Sequence, residues 1–134
     1  MTPNATTERH GVRVLVLPGT GPVIGDEQSA LDEIGQALGD EAEVVAVPVA
    51  RLDPAFTHLA SGVAGAVVQK FVNYRVRLVV VGPLDHHGEP AGPVADWVRE
   101  ANAGRELWFV EDLAELDRRL GEAAQRAPVT QRAH

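Results

Sequence analysis

The chain has 134 residues, 45% of them hydrophobic and 23% charged, which suits one globular domain and neither two cores nor a disordered chain. It has no cysteine, which excludes disulfides, thiolate metal sites and a cysteine nucleophile. A net charge of −7 argues against nucleic acid and anionic membranes as partners, no apolar run approaches the ~20 residues of a membrane span, and residues 1–10 lack a signal-peptide stretch, so a cytoplasmic location is expected.

Residues 1–10 read as a disordered tail. Val12–Leu17 is a β run stopped by the turn residues Pro18–Pro22, and Val23-Ile24 is expected as a short second strand closing a hairpin. Asp26 can cap a helix over 27–38, with Ala30, Leu31, Ile34, Ala37 and Leu38 on one face. Glu43–Val49 is apolar enough to be a strand buried on both faces. A loop, Arg51–Phe56, leads to a long helix over 57–74. Leu59, Val63, Ala66, Val67, Lys70 and Tyr74 line one side of it, and Ala60, Ala64, Val68, Phe71 and Val72 the other. A helix apolar nearly all round is covered on several sides, so a homodimer through this helix is expected. Arg77–Gly82 and Glu106–Val110 are further strands. Val94–Ala103 and Asp112–Ala124 are further helices, and residues 125–134 form a frayed tail.

This alternation predicts a single α/β domain over residues 11–124, with a mostly parallel sheet of four or five strands and flanking helices. Ligands in such folds bind beyond the carboxyl ends of the strands, here the loops 50–58, 82–93 and 111–112.

Gly19-Thr20-Gly21-Pro22 lacks the spacing and lysine of a phosphate loop and reads as a turn. His86-His87, with Asp85 and Glu89, lacks chelating spacing, so no metal is expected; Asp85 and His86 remain candidates for touching a ligand. Asp53 reads first as a helix cap. With His58 and Ser61 it suggests a triad, but there is no Gly-x-Ser-x-Gly elbow. Ser61 in the first turns of a helix would face the positive end of its dipole, where a phosphate is stabilised. Gln69, Lys70 (the one lysine), Asn73 and Tyr74 put hydrogen-bonding groups at what should be an interior helix end. Glu100 opposes its helix dipole, so Lys70 or Arg75 is its expected partner, and Asn102 follows it.

The segments Leu52–Phe56, Leu59–Gly65, Gln69–Leu78, Gly82 and Glu100–Gly104 resemble an uncharacterised bacterial family, domain of unknown function 4180, over roughly residues 11–120. The resemblance implies no activity. More remotely, Ser61–Gly65 followed by Leu78–Gly82 is similar in order to STAS and SpoIIAA-like domains. That likeness implies a STAS-like fold and, at Ser61, the serine phosphorylated in anti-sigma antagonists. Ala60 departs from that motif, which usually has a small polar residue or acid there.

Two functions follow. The first is a non-enzymatic module that binds a small molecule or protein, switched at Ser61, with Phe56, His58, Lys70, Asn73, Tyr74, Asp85, His86 and Asn102 as contact candidates. The alternative is a cofactor-free isomerase, cyclase or lyase acting on an apolar metabolite. It would use Asp53, Lys70, Asp85 and Glu100 as acid or base. Seven acids and no base lie between Arg13 and Arg51, which predicts a solvated acidic face around the first helix.

Overall fold

The computed structural model describes residues 5–84 and 92–126. Two short strands, β1 (Ala5–Arg9) and β2 (Val12–Val16), pair antiparallel across a two-residue turn. His10 and Gly11 both hold positive φ (51° and 81°), which matches the right-handed twist of a tight hairpin. Within the expected disordered tail, Ala5–Arg9 is therefore a strand, and β1, not Val23-Ile24, is the hairpin partner of β2. Ile24 makes only an isolated parallel bridge to Leu52.

After α1 (Glu27–Gly39), the strands β3 (Val44–Pro48), β4 (Arg77–Val81) and β5 (Leu107–Val110) add in parallel to β2, giving the order β1-β2-β3-β4-β5. Between them run α2 (Val63–Asn73) and α3 (Pro93–Ala103), and α4 (Leu113–Arg126) follows β5. The single-domain α/β expectation and its mostly parallel sheet are what the structure contains. Crossovers of one hand between successive neighbours put their helices on one face. Ala30, Ile34 and Ala37 of α1, Ala64, Val67 and Phe71 of α2, and Trp97 and Ala101 of α3 pack there on Leu15, Val45, Val47, Leu78, Val80 and Phe109. The alternate residues Val14, Val44, Ala46, Val79, Trp108 and Val110 face the other way, under Leu116 and Leu120 of α4. No helix among the described residues is long and apolar enough to cross a membrane.

Each helix start has a local cause. The Asp26 carboxylate accepts from Ser29 N (2.8 Å), while Ser29 Oγ accepts from Asp26 N (3.1 Å), a reciprocal cap for α1. At α4 the Asp112 carboxylate accepts from Glu115 N (2.8 Å), while the Glu115 carboxylate accepts from Glu111 N (2.7 Å). The long helix expected over 57–74 is broken. Two 3-10 turns, Pro54–Thr57 and Leu59–Ser61, precede Gly62, whose left-handed φ of 79° resets the chain before α2. The apolar positions of this helix are taken up within the chain on two sides. One side lies on the sheet core, α1 packs beside it, and its exposed positions are Gly65, Gln69 and Asn73.

Candidate functional site

The strand order never reverses, so the sheet has no crevice of the kind that opens where crossovers diverge to opposite faces. Above β2 and β3 the carboxyl edge is closed by a clasp. Arg51, 3% exposed, donates to the carbonyls of Pro22 (2.9 Å), Pro18 (3.0 Å) and Thr20 (3.4 Å) and ion-pairs with Glu33 (3.2 Å). Glu33 is thus drawn out of the expected solvated acidic face. Burial raises its pKa, and the Arg51 charge opposes that rise. Nothing in the sequence distinguished Arg51 from the other arginines.

The open surface lies lower, between α2 and α3. Both helices sit on the same sheet face without close packing against each other, and a cleft remains. Its mouth is a 360 Å³ depression between His58, Leu59 and the start of α3 at Pro93 and Val94. Its middle, about 290 Å³, is walled by Ala64, Gly65, Val68 and Val72 of α2 and by Trp97 of α3. Its lower end, about 230 Å³, reaches Glu100, Arg105 and Glu106 over Leu107. Trp97 is held by rings on two sides. It meets Phe109 edge-on (5.1 Å between centroids) and lies 5.8 Å from Phe56.

The predicted site residues do not converge. Phe56 is fully buried and supports the cleft from beneath; it offers no free face to a ligand. Asp53 caps the first 3-10 turn by accepting from Ala55 N (2.8 Å), which is the capping role. His58 is exposed at the mouth of the cleft. Ser61 lies before the helix and not within its first turns. Its Oγ donates to Ala55 O (2.8 Å) and accepts from Val63 N (3.2 Å), bracing the 3-10 turns against the head of α2. Lys70 pairs with Glu27 of α1 (3.6 Å), not with Glu100. Gln69 and Asn73 bond to each other (2.8 Å) on the exposed side of α2, and Tyr74 is 47% exposed, so this helix end is surface and not interior. Glu100 is exposed at the lower cleft. Asn102 is a structural tie. Its Oδ1 accepts from Phe109 N (2.7 Å) and from Arg119 (3.1 Å). Asp85 and His86 lie outside the described residues. Among the described residues, no group of three or more His, Asp or Glu gathers as a metal set.

A second cavity, about 340 Å³, opens at the opposite, amino edge of the sheet. Val12, Val44, Val72 and Val76 line it together with Arg75, Arg77 and Arg105 and the acids Glu43 and Glu106. Arg77 is fixed there. Its guanidinium stacks on Trp108 (4.3 Å), a ring that also carries Arg119 (4.0 Å), and its Nε donates to Arg105 O (2.5 Å). Burial, then the charges of Arg105 and Arg119, push its pKa down. In the sequence, the signal of this edge is the spacing Arg75-x-Arg77 with Arg105 just before β5, away from the carboxyl-edge loops.

No curated protein matches the chain. No solved structure matches it either. Residues 9–120 match the family model described as domain of unknown function (DUF4180), and the chain belongs to that family.

Proposed function

We propose that this protein is a non-enzymatic binding module whose receiving surface is the cleft between α2 and α3. The observation that carries this is the cleft's makeup: Val68, Val72 and Trp97 line its middle, and Leu59 at its mouth is 37% exposed. A concavity that sets an aromatic ring and aliphatic side chains beside polar groups, here Gln69 and Glu106, is an ordinary form of a binding site. The acid and base candidates among the described residues support this over the enzyme alternative. Asp53 is consumed as a cap, Lys70 pairs with α1, and Glu100 stands in solvent. A STAS-like regulatory role belongs to the same proposal. Ser61 braces the mouth of the cleft, and a phosphate there would replace the bond to Ala55 O with about two negative charges at the head of α2.

The test uses Nile red, a neutral apolar dye. The folded protein should enhance its emission, and Val68→Asp should abolish the enhancement while the circular dichroism stays unchanged. Dye binding indifferent to Val68→Asp would refute the cleft. Sedimentation of the same samples tests the other occupant, a second copy of the chain. A dimer that Val68→Asp dissociates would assign the cleft to self-association.

A further inference from the structure

The arginine cavity at the amino edge has features that packing alone does not require. The net charge of the protein is −7, yet three arginines line this one concavity. Among the described residues, none of the three makes an ion pair within 4 Å, although Glu43 and Glu106 line the same space. Arg75 and Arg105 are exposed, and neither guanidinium has a hydrogen-bond partner among the described residues. Arg75 also holds a left-handed φ of 59° just after α2, a position that glycine or asparagine fills more cheaply. A costly backbone placement that presents a free cation to a cavity points to use. Arg77, stacked on Trp108, gives the cavity a rigid positive wall.

The cavity also adjoins the cleft. Val72 and Glu106 line both the cavity and the middle of the cleft, and Arg105 and Glu106 line both the cavity and its lower end. Val72, Arg105 and Glu106 thus form a wall shared by the cavity and the cleft, with the Arg75 and Arg105 guanidiniums exposed beside it.

We propose that this cavity binds an organic monoanion, a carboxylate on an apolar tail. Arg75 and Arg105 hold the carboxylate in front of Arg77, and the tail passes Val72 into the cleft between α2 and α3. This inference rests on the cleft reading above. The charge balance sets the class: three arginines against two glutamates leave one positive charge, which one carboxylate neutralises and a phosphate dianion exceeds. The guanidinium fork matches the two carboxylate oxygens, and the valines match a hydrocarbon and not a sugar.

The probes are octanoate, octan-1-ol and inorganic phosphate, titrated into the full chain by calorimetry and by tryptophan emission. Octanoate should bind at least tenfold more tightly than octan-1-ol and should weaken as salt rises. Arg75→Asn keeps a residue that tolerates left-handed φ, and Arg105→Gln alters an exposed side chain, so both variants should fold. Each should weaken octanoate about tenfold and leave octan-1-ol unchanged. Equal affinity for octanoate and octan-1-ol, or octanoate binding indifferent to both variants, overturns the inference. So does inorganic phosphate binding as tightly as octanoate, because the tail would then contribute nothing. Nile red separates the two ideas. If it binds and octanoate does not, the cleft stands and the anion site falls. If octanoate binds through the arginines and Nile red fails, the cleft falls and the cavity stands as a site of its own.

Discussion

Replacing Arg51 with methionine keeps an apolar stem and removes the clasp at the carboxyl edge. The guanidinium serves four acceptors: three carbonyls of the 18–22 turn and the Glu33 carboxylate. Gly19 to Pro22 are exposed, so water can take over most of those carbonyls at little cost. Glu33 cannot be rescued that way, because its side chain is only 13% exposed. Removing one partner of a buried ion pair typically costs about 3–5 kcal/mol. The lower end of that range is expected here, about 3 kcal/mol at pH 7, a large part of the roughly 5–15 kcal/mol that holds a domain of this kind. The sign of the pH dependence follows from Glu33. Its folded pKa already lies above the unfolded value, so its contribution is most favourable below the unfolded pKa and is lost as pH rises through the folded one. Without Arg51 the rise is unopposed and becomes larger. The deficit of Arg51→Met should therefore be clearly smaller at pH 4 than at pH 7. Urea unfolding at the two pH values reads both quantities. A loss under about 1 kcal/mol at pH 7, or the same loss at both pH values, would refute the clasp as described.

Gly21→Ala should cost about 1–3 kcal/mol, because φ is 144° there and an added Cβ would lie 2.8 Å from Arg51 Cζ; in the Arg51→Met background the loss should shrink, and urea melts of the four proteins measure the coupling. Asn102→Ala leaves the Phe109 N–H at the free edge of β5 without its acceptor and should cost about 1–3 kcal/mol with faster hydrogen exchange at that amide, whereas Asn102→Asp retains an acceptor and should preserve protection. Unchanged exchange in Asn102→Ala would show that the edge is satisfied in another way.

Element positions were legible where the signal was local. Asp26, Gly104 and the buried run of β3 announce themselves because capping and two-faced burial depend on few neighbours. β1 was missed because Ala5–Arg9 is polar and mostly exposed; its warrant is pairing with β2 and the His10-Gly11 turn, not its own composition. The break before α2 was missed for a related reason. A periodic apolar pattern runs on through Leu59–Ser61, and only the side-chain bond from Ser61 to Ala55 O and the left-handed Gly62 end it. The site was less legible still. Lys70, Asn73 and Tyr74 stood out as polar residues in an apolar helix, but a periodicity read over residues 57–74 cannot give the true phase of a helix that begins at Val63.

That phase error explains how the cleft and the arginine cavity are related. With α2 starting at Val63, Ala64, Val67 and Phe71 go to the core, while Val68 and Val72 turn toward α3. Val72 thus stands at the junction of cleft and cavity, three residues before Arg75. Because the sheet order is sequential, α2 and α3 lie on the same face and the cleft between them runs along the strands. It ends where β5 begins, beside Arg105. The ligand rule for open sheets favours carboxyl edges because divergent crossovers open a gap there. Here no crossover diverges, the Arg51 clasp closes part of that edge, and the concavity that remains reaches toward the amino edge, where Arg75 and Arg105 stand exposed.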